Sequence, residues 1–188
     1  MALTIRPATA EDYEQLCEVF AEIDTQHAKV EPGVYRYPSP VPARSLEFLA
    51  PAFGEREAVI FVAEEPLHGH EDEARGSEDR GRAGDRNVRI VGLAHVLLRY
   101  APDLPILRPR CFAVVDALVV RATHRRQGIG TRLMEEARRW ATEKGADDLE
   151  LGVWEFNHEA VAFYESLGFT TSVRRMWIRL KEVPPRED

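Results

Sequence analysis

The stretch CFAVVDALVVRATHRRQGIG, residues 111–130, joins an apolar run to a basic turn that contains two glycines. Its first ten residues are almost wholly apolar, as in a central strand covered on both faces, and Asp116 is the exception. An apolar stripe at helical spacing follows, formed by Ile129, Leu133, Ala137, Trp140 and Ala141. The stretch therefore predicts a strand, a tight loop and a helix from about residue 128 to residue 144, ended by Gly145.

The predicted loop has the properties of an anion-binding site. Backbone N–H groups at the start of a helix lie at the positive end of its dipole, where phosphate groups bind. Gly128 and Gly130 have no Cβ to keep a phosphate from the backbone, and Arg125 and Arg126 add positive charge. A Walker loop would require Gly-Lys-Ser/Thr, and a Rossmann fingerprint would require glycine in place of Leu133. Neither of those phosphate motifs is present.

Other strands and helices are predicted on both sides of this stretch. Composition and alternation predict strands at 3–6, 58–63, 89–98, 149–154 and 173–180. A capping box at Thr9 and Asp12 precedes a first helix, a brief helical segment is predicted at 43–53, and a short helix at 157–166 ends at Gly168. The order β-α-α-β-β-β-α-β-α-β predicts an α/β fold with a mixed sheet, in a single domain spanning residues 1–188.

Two segments differ in composition from the predicted strands and helices. Residues 66–88 contain few large apolar side chains, which predicts a mobile surface loop inside a hairpin or, alternatively, a functional lid. Residues 31–42 contain four prolines, which predicts a shaped loop rather than a helix. His68 and His70 have no further ligands near them in sequence, so no metal site is predicted.

The charge balance restricts the class of partner. With 25 Lys plus Arg against 32 Asp plus Glu, the net charge of -7 argues against a nucleic-acid-binding protein and suits a cationic or amine-bearing partner. The two cysteines, Cys17 and Cys111, are too few for a disulfide framework, which favours a reducing, cytoplasmic setting. No apolar run has the length of a signal peptide core or a membrane span, so no membrane association is expected.

Two motifs give the chain a family resemblance. The apolar strand followed by Arg125-Arg126-Gln127-Gly128-Ile129-Gly130 resembles the signature of the GNAT superfamily of acetyltransferases, Arg/Gln-x-x-Gly-x-Gly/Ala. Residues 157–169, NHEAVAFYESLGF, resemble the second family motif, Asn-x-x-Ala-x-x-Phe-Tyr-x-x-x-Gly-Phe, at every marked position. The resemblance implies a central, mostly antiparallel sheet of six to seven strands flanked by about four helices. It also implies transfer of an acetyl group from acetyl-CoA to a primary amine, by direct attack in a ternary complex.

The resemblance assigns the residues that bind the cofactor. The backbone of Leu118, Val119 and Val120 would pair with the pantetheine arm, and a backbone N–H of Val119 or Val120 would meet the oxyanion. Arg125 would set the entry of the loop. Asn157 would hydrogen-bond the arm, a role that is compatible with acting as a helix N-cap at the same time. The pyrophosphate would be held by the N–H groups of Arg126, Gln127, Gly128, Ile129, Gly130 and Thr131.

Two residues are candidates for the proton transfers that acetylation of an amine requires. Asp116 is expected to act as general base through a water, with a pKa raised by desolvation, or else to be a buried structural carboxylate. Tyr164 is expected to protonate the departing thiolate, or else to be a core aromatic residue.

The acceptor pocket is expected to form from the first helix and the loop after it. His27, Glu31, Tyr35 and Tyr37 supply imidazole, carboxylate and aromatic surfaces suited to a cationic amine, although the tyrosines suit loop packing as well. The acceptor stays open among small amines, polyamines, aminoglycoside-like compounds, amino acids and protein amines. A non-catalytic acyl-CoA sensor and an acyltransferase for longer acyl groups are the alternatives, and the resemblance alone suggests a homodimer.

Overall fold

Five strands and four α-helices form the chain where the computed structural model describes it, at residues 3–36, 43–54, 56–67 and 87–180. The strands are β1 (Thr4–Pro7), β2 (Ala58–Pro66), β3 (Val88–Tyr100), β4 (Cys111–Val120) and β5 (Asp148–Leu151). The helices are α1 (Tyr13–Val30), α2 (Leu46–Leu49), α3 (Ile129–Glu143) and α4 (His158–Ser166). Short 3-10 turns occur at Ala10–Asp12, Ala50–Phe53 and Ala122–His124.

The strands form a single sheet in the order β1-β2-β3-β4-β5. The first three pairings are antiparallel and the β4–β5 pairing is parallel. The predicted mixed, mostly antiparallel α/β sheet with four flanking helices is therefore confirmed. The predicted count of six to seven strands was wrong, because the described residues form five.

The missing strand is the one predicted at residues 173–180. This segment is described but belongs to no strand, and Val173, Met176, Ile178 and Leu180 are each at least 80% exposed. Two long ion pairs join it to other described residues, Arg174–Glu155 at 3.7 Å and Arg179–Glu31 at 3.6 Å. Alternation of apolar and polar side chains makes a segment compatible with a strand, but a strand also requires a partner edge.

The hairpin of β2 and β3 is longer than predicted. Both strands extend beyond the predicted ends, so Pro66 and Val88 pair with each other, and Leu67 N donates to Asn87 O at 2.9 Å. The predicted hairpin is thus confirmed, while the mobility predicted for the insert concerns residues 68–86, which lie outside the described residues. At the other edge, β5 ends at Leu151 rather than at Trp154.

The two faces of the sheet bury separate apolar cores. Helix α3 covers one face with the predicted stripe, in which Leu133 and Ala137 are fully buried. Helices α1 and α2 cover the other face, where Leu16, Val19 and Leu49 are fully buried. Each fully buried large apolar side chain stabilises the fold by about 1.5–3 kcal/mol. The two cores fix α1 and α3 on opposite sides of β4.

The start of α1 is held by the predicted capping box and by an arginine from β1. Thr9 N donates to Asp12 Oδ2 at 2.8 Å, and Arg6 donates to both oxygens of Asp12 at 2.7 and 2.8 Å. Arg6 also donates to Glu64 on β2 at 2.9 Å. Burial alone would raise the pKa of Asp12, but the hydrogen bonds from Arg6 and Thr9 outweigh it and hold the pKa below its ordinary value.

We expect Asp12→Ala to lower the free energy of unfolding by about 2 kcal/mol at pH 7, because Arg6 loses its bidentate partner. The folded-state pKa of Asp12 lies below the unfolded value, so its stabilisation is complete above the unfolded pKa and is lost as the pH falls through the folded pKa. Urea unfolding of wild type and variant from pH 7 down to pH 2 measures the difference.

The control is Asp148→Ala, which removes a half-exposed ion pair with Arg110. Its expected cost is below about 1 kcal/mol, since exposed pairs contribute little. A difference between wild type and Asp12→Ala that stays constant from pH 7 to pH 2 would contradict the assignment of this stabilisation to the ionised carboxylate.

Candidate active site

The sheet divides between β4 and β5. The two strands pair only as far as Val115, which lies opposite Leu151, and beyond Val115 this edge of β4 has no partner strand among the described residues. Arg121 N donates to a β3 carbonyl at 2.9 Å, so antiparallel alternation turns the N–H and C=O groups of Leu118 and Val120 toward the open edge. The same alternation directs Val119 toward β3. The open edge can therefore pair with an extended amide-bearing ligand through Leu118 and Val120.

A β-bulge lies where the two strands part. His95 of β3 is opposite Ala117, but the next residue, Val96, is opposite Val115, which leaves Asp116 as an extra residue on β4. Bulges of this kind increase the local twist and redirect a side chain. The bulge therefore accounts for both the end of the β4–β5 pairing and the exposure of Asp116, which sequence alone placed on a covered strand.

The loop between β4 and α3 has a concave backbone. Arg126 and Gly128 have positive φ angles of 62° and 77°, and Gly128 is the N-cap of α3. Alternating left-handed residues before a helix turn successive N–H groups toward one point, where an anion binds. A Cβ added at Gly128 would meet no atom within 4 Å, so the space in front of the loop is open. The loop starts from β4, where Arg125 Nε donates to Val120 O at 3.2 Å.

The other residues of the predicted loop lie just before α3 or in its first turn. Gln127 Nε2 donates to Thr123 O at 3.4 Å, and Ile129 is buried in the core beneath the loop. Gly130 lies against α4, since a Cβ there would be 3.3 Å from Phe163 Cζ. Thr131 follows within the first turn of α3. The loop and the open edge are continuous along the chain, so a ligand with phosphate groups at one end and an extended amide arm fits this surface.

Helix α4 carries one predicted residue, Tyr164, and a second, Asn157, precedes its first turn. Asn157 is the N-cap of α4, and its Oδ1 accepts from Ala160 N at 3.2 Å. Tyr164 packs against Phe163 and Phe169, with ring centroids 5.3 and 5.9 Å away. Burial raises the pKa of Tyr164 to about 12, and its hydroxyl has no hydrogen-bond partner among the described residues. The phenol is therefore protonated at neutral pH and able to donate a proton to a ligand.

Asp116 does not have the raised pKa that we expected from its position on an apolar strand. Its Oδ2 lies 3.2 Å from His95 Nδ1, and the two side chains are 50% and 6% exposed. The hydrogen bond from His95 outweighs desolvation, so the pKa of Asp116 lies below its ordinary value. Asp116 is therefore an exposed, ionised carboxylate at neutral pH. The expectation of a pKa raised toward neutrality was wrong.

Two of the predicted acceptor residues, His27 and Tyr35, form an aromatic cluster with two residues that sequence reasoning missed. The rings of His27 and Tyr35 are 4.8 Å apart, and Trp154 Nε1 donates to the Tyr35 hydroxyl at 3.3 Å. Trp154 stacks on Phe156 at 5.7 Å.

Burial lowers the pKa of His27, which favours its neutral imidazole. Tyr37, the fourth predicted residue, lies outside the described residues, and Glu31 faces Arg179.

Trp154 and Phe156 lie between β5 and α4, and the contact of Trp154 with Tyr35 joins this segment to the residues that follow α1. The sequence pattern placed Trp154 at the end of a strand, and its position just before the Asn157 motif was the available signal.

A separate open cavity of about 470 Å³ lies between α1 and the end of β4. Its charged lining residues are Glu18, Glu22, Lys29, Arg121 and Arg125. Among the predicted site residues, Arg125 lines this cavity.

The described residues contain no group of three or more His, Cys, Asp or Glu side chains arranged to hold a metal ion. Among the helices that the structure describes, none has the length and apolarity needed to cross a membrane.

Comparison with known proteins identifies the class of protein. Residues 46–169, about two thirds of the chain, match the model of the acetyltransferase (GNAT) family. The chain therefore belongs to the GNAT family of acetyltransferases, whose members transfer an acyl group from acyl-CoA.

Solved structures share this fold over almost the whole chain. A mutant of the BH1408 protein from Bacillus halodurans is 25% identical, with a TM-score of 0.75 over 95% of this chain and 99% of that chain. An acetyltransferase from Trypanosoma brucei is 20% identical, with a TM-score of 0.60 over 95% and 100%. The aminoglycoside N-acetyltransferase AAC(6')-Iy, solved with CoA, is 15% identical, with a TM-score of 0.62 over 95% and 94%.

Proposed function

We propose that this protein transfers the acetyl group of acetyl-CoA to a primary amine by direct attack in a ternary complex. The observation that supports the proposal most strongly is the continuity of the anion-binding loop at Gly128 with the open edge of β4. That arrangement has the shape needed by a ligand with a pyrophosphate and a pantetheine arm. Because family membership alone leaves the acyl group and the acceptor open, both belong to this proposal.

The backbone binds the donor in this proposal. The N–H groups from Arg126 to Thr131 hold the pyrophosphate at the positive end of the α3 dipole. Leu118 pairs with the amides of the pantetheine arm through its N–H and C=O groups and Val120 through its C=O group, and the Asn157 side chain hydrogen-bonds the same arm. Acetyl-CoA supplies an acetyl group activated as a thioester. Of the two N–H groups expected to meet the developing oxyanion, that of Val120 faces the open edge.

Asp116 and Tyr164 act on the two protons of the reaction. Asp116 attracts the acceptor as an ammonium ion, which loses one proton through a water at the carboxylate and so frees the nitrogen lone pair that attacks the thioester carbonyl to form the C–N bond. As the C–S bond breaks, Tyr164 donates its proton to the sulfur, and the second proton released by the nitrogen returns to the Tyr164 oxygen through solvent. The aromatic cluster of Tyr35, Trp154 and Phe156 forms a wall on the acceptor side. No covalent enzyme intermediate is needed, because both substrates are held together.

The first test is a calorimetric titration with acetyl-CoA, followed by release of free CoA with a panel of amines. The panel contains small amines, polyamines, aminoglycosides, amino acids and peptide amines, and succinyl-CoA and longer acyl-CoAs serve as alternative donors. We expect saturable acetyl-CoA binding and amine-dependent CoA release. Tight binding without turnover for any donor or amine would instead indicate an acyl-CoA sensor, and turnover with a longer donor alone would reassign the acyl group.

A further inference from the structure

His95 is unusual among the buried polar residues. The described residues include three polar or charged residues that are buried, namely Asp12, His95 and Arg121. Asp12 belongs to the capping network at α1, and Arg121 donates to Ile90 O at 2.8 Å and to Glu18 at 2.8 Å, so both support the fold. The polar contact of His95 is instead with Asp116, a half-exposed residue at the bulge of β4.

The geometry of the pair is asymmetric. Asp116 is half exposed at the bulge, so its carboxylate can touch a ligand, whereas His95 is almost completely buried behind it. The extra residue on β4 moves Asp116 out of the regular pairing and brings its Oδ2 to 3.2 Å from His95 Nδ1. His95 can therefore influence a bound acceptor mainly through Asp116.

Two other charged groups face Asp116, and both have partners of their own. Arg44, in the segment before α2, donates to both carboxylate oxygens of Asp24 at 2.6 and 3.1 Å. Arg99 of β3 donates to Leu98 O at 3.0 Å. Both arginines favour the ionised carboxylate of Asp116 through space, while their hydrogen bonds go to Asp24 and to Leu98 O. Among the described residues, His95 is thus the side chain that fixes the direction of Asp116.

We propose that His95 is a positioning residue that holds the Asp116 carboxylate in the orientation required to meet the ammonium group of the acceptor. The proposal rests on the proposed function, because it assigns Asp116 to the acceptor side of that site. An imidazole that carries a proton on Nδ1 donates to Oδ2 and leaves Oδ1 for the ammonium group. With one carboxylate oxygen held by His95, the Asp116 side chain has fewer rotamers before the acceptor arrives. Less conformational entropy is therefore lost when the acceptor binds.

The experiment uses the full chain with His95→Leu, which removes the donor, and His95→Asn, whose amide nitrogen can occupy the position of Nδ1. The carboxyl group of Asp116 is titrated by ¹³C NMR, and its signal is assigned by its loss in Asp116→Asn. We expect His95→Leu to raise the pKa of Asp116, because the carboxylate loses its hydrogen-bond donor, and His95→Asn to restore most of the wild-type value. This readout requires no turnover.

Kinetics supply the second measurement. We expect His95→Leu to raise KM for the amine about tenfold or more, because the acceptor then has to order the carboxylate itself. The calorimetric Kd for acetyl-CoA should stay unchanged. In an Asp116→Asn background the same substitution should have no further effect, since His95 acts through the carboxylate.

The outcomes separate this proposal from the proposed function. An Asp116 pKa unchanged by His95→Leu, or equal kinetic losses in the wild-type and Asp116→Asn backgrounds, would overturn it and leave His95 as a packing residue. If no amine is acetylated by the wild type, the proposed function fails, and the carboxyl titration still decides whether His95 holds Asp116. If His95→Leu does not fold, His95→Gln, whose amide lies at the position of Nε2, replaces it in every comparison.

Discussion

We expect Gly128→Glu to weaken acetyl-CoA binding by about 100-fold or more, to the point where binding is no longer detected at ordinary concentrations. The φ angle of Gly128 is 77°, a conformation that costs a residue with a Cβ about 1–2 kcal/mol. The new side chain would extend into the open space before the loop, where the pyrophosphate is proposed to lie. Its carboxylate would also repel a phosphate at the start of α3, so strain, occupied space and charge act in the same direction. Calorimetric titration with acetyl-CoA measures the loss.

The matched control is Gly145→Glu at the other end of α3. Gly145 has nearly the same backbone conformation, with φ 74°, and open space around a new Cβ. The control therefore introduces a similar strain and the same charge away from the loop, and it should bind acetyl-CoA as the wild type does. Near-wild-type affinity in Gly128→Glu, or an equal loss in both variants, would refute the assignment of the pyrophosphate to this loop.

Tyr164→Phe is expected to lower kcat about 100-fold while the Kd for acetyl-CoA changes little, because a general acid contributes to the transition state rather than to donor binding. The ring packing with Phe163 and Phe169 is kept, so stability should change little. Because the pKa of Tyr164 is about 12, the wild-type rate should show no alkaline decrease from this group below about pH 10. Steady-state rates with a saturating amine, from pH 6 to pH 10, measure both effects.

Tyr100→Phe provides the comparison for this second substitution. Tyr100 is exposed at the end of β3, and its hydroxyl is not part of the proposed site. Its removal should leave kcat at the wild-type value. If Tyr164→Phe also turned over at the wild-type rate, Tyr164 would be a packing residue and another group would have to protonate the thiolate.

The parts of the fold that depend on local sequence were predictable. The strand, loop and helix between Cys111 and Glu143 were placed to within about one residue, because an apolar run, two glycines and a helical stripe are local signals. Local signals failed at residues 173–180, where alternation predicted a strand that has no partner edge among the described residues. Pairing depends on the other strand as well as on the segment itself.

The candidate site was less predictable, because its geometry depends on contacts between distant parts of the chain. The bulge at Asp116 is a property of the β3–β4 register, and the pKa of Asp116 depends on His95, a residue 21 positions away. Trp154 and Tyr35 meet across 119 positions of sequence. Motifs identified which residues to consider, but not which of them form hydrogen bonds with each other.

The order of the strands in the sheet also bears on how the chain reaches this fold. Every strand pairs with its predecessor in sequence, so the sheet can grow by successive closures without inserting a late strand between two earlier ones. The β2–β3 hairpin has to close across residues 68–86, but closure entropy grows only with the logarithm of loop length. Each doubling of that length adds only about 0.6 kcal/mol. The sheet can therefore accommodate a long charged insertion between β2 and β3. The loop and the open edge belong to β4, which pairs with the opposite edge of β3.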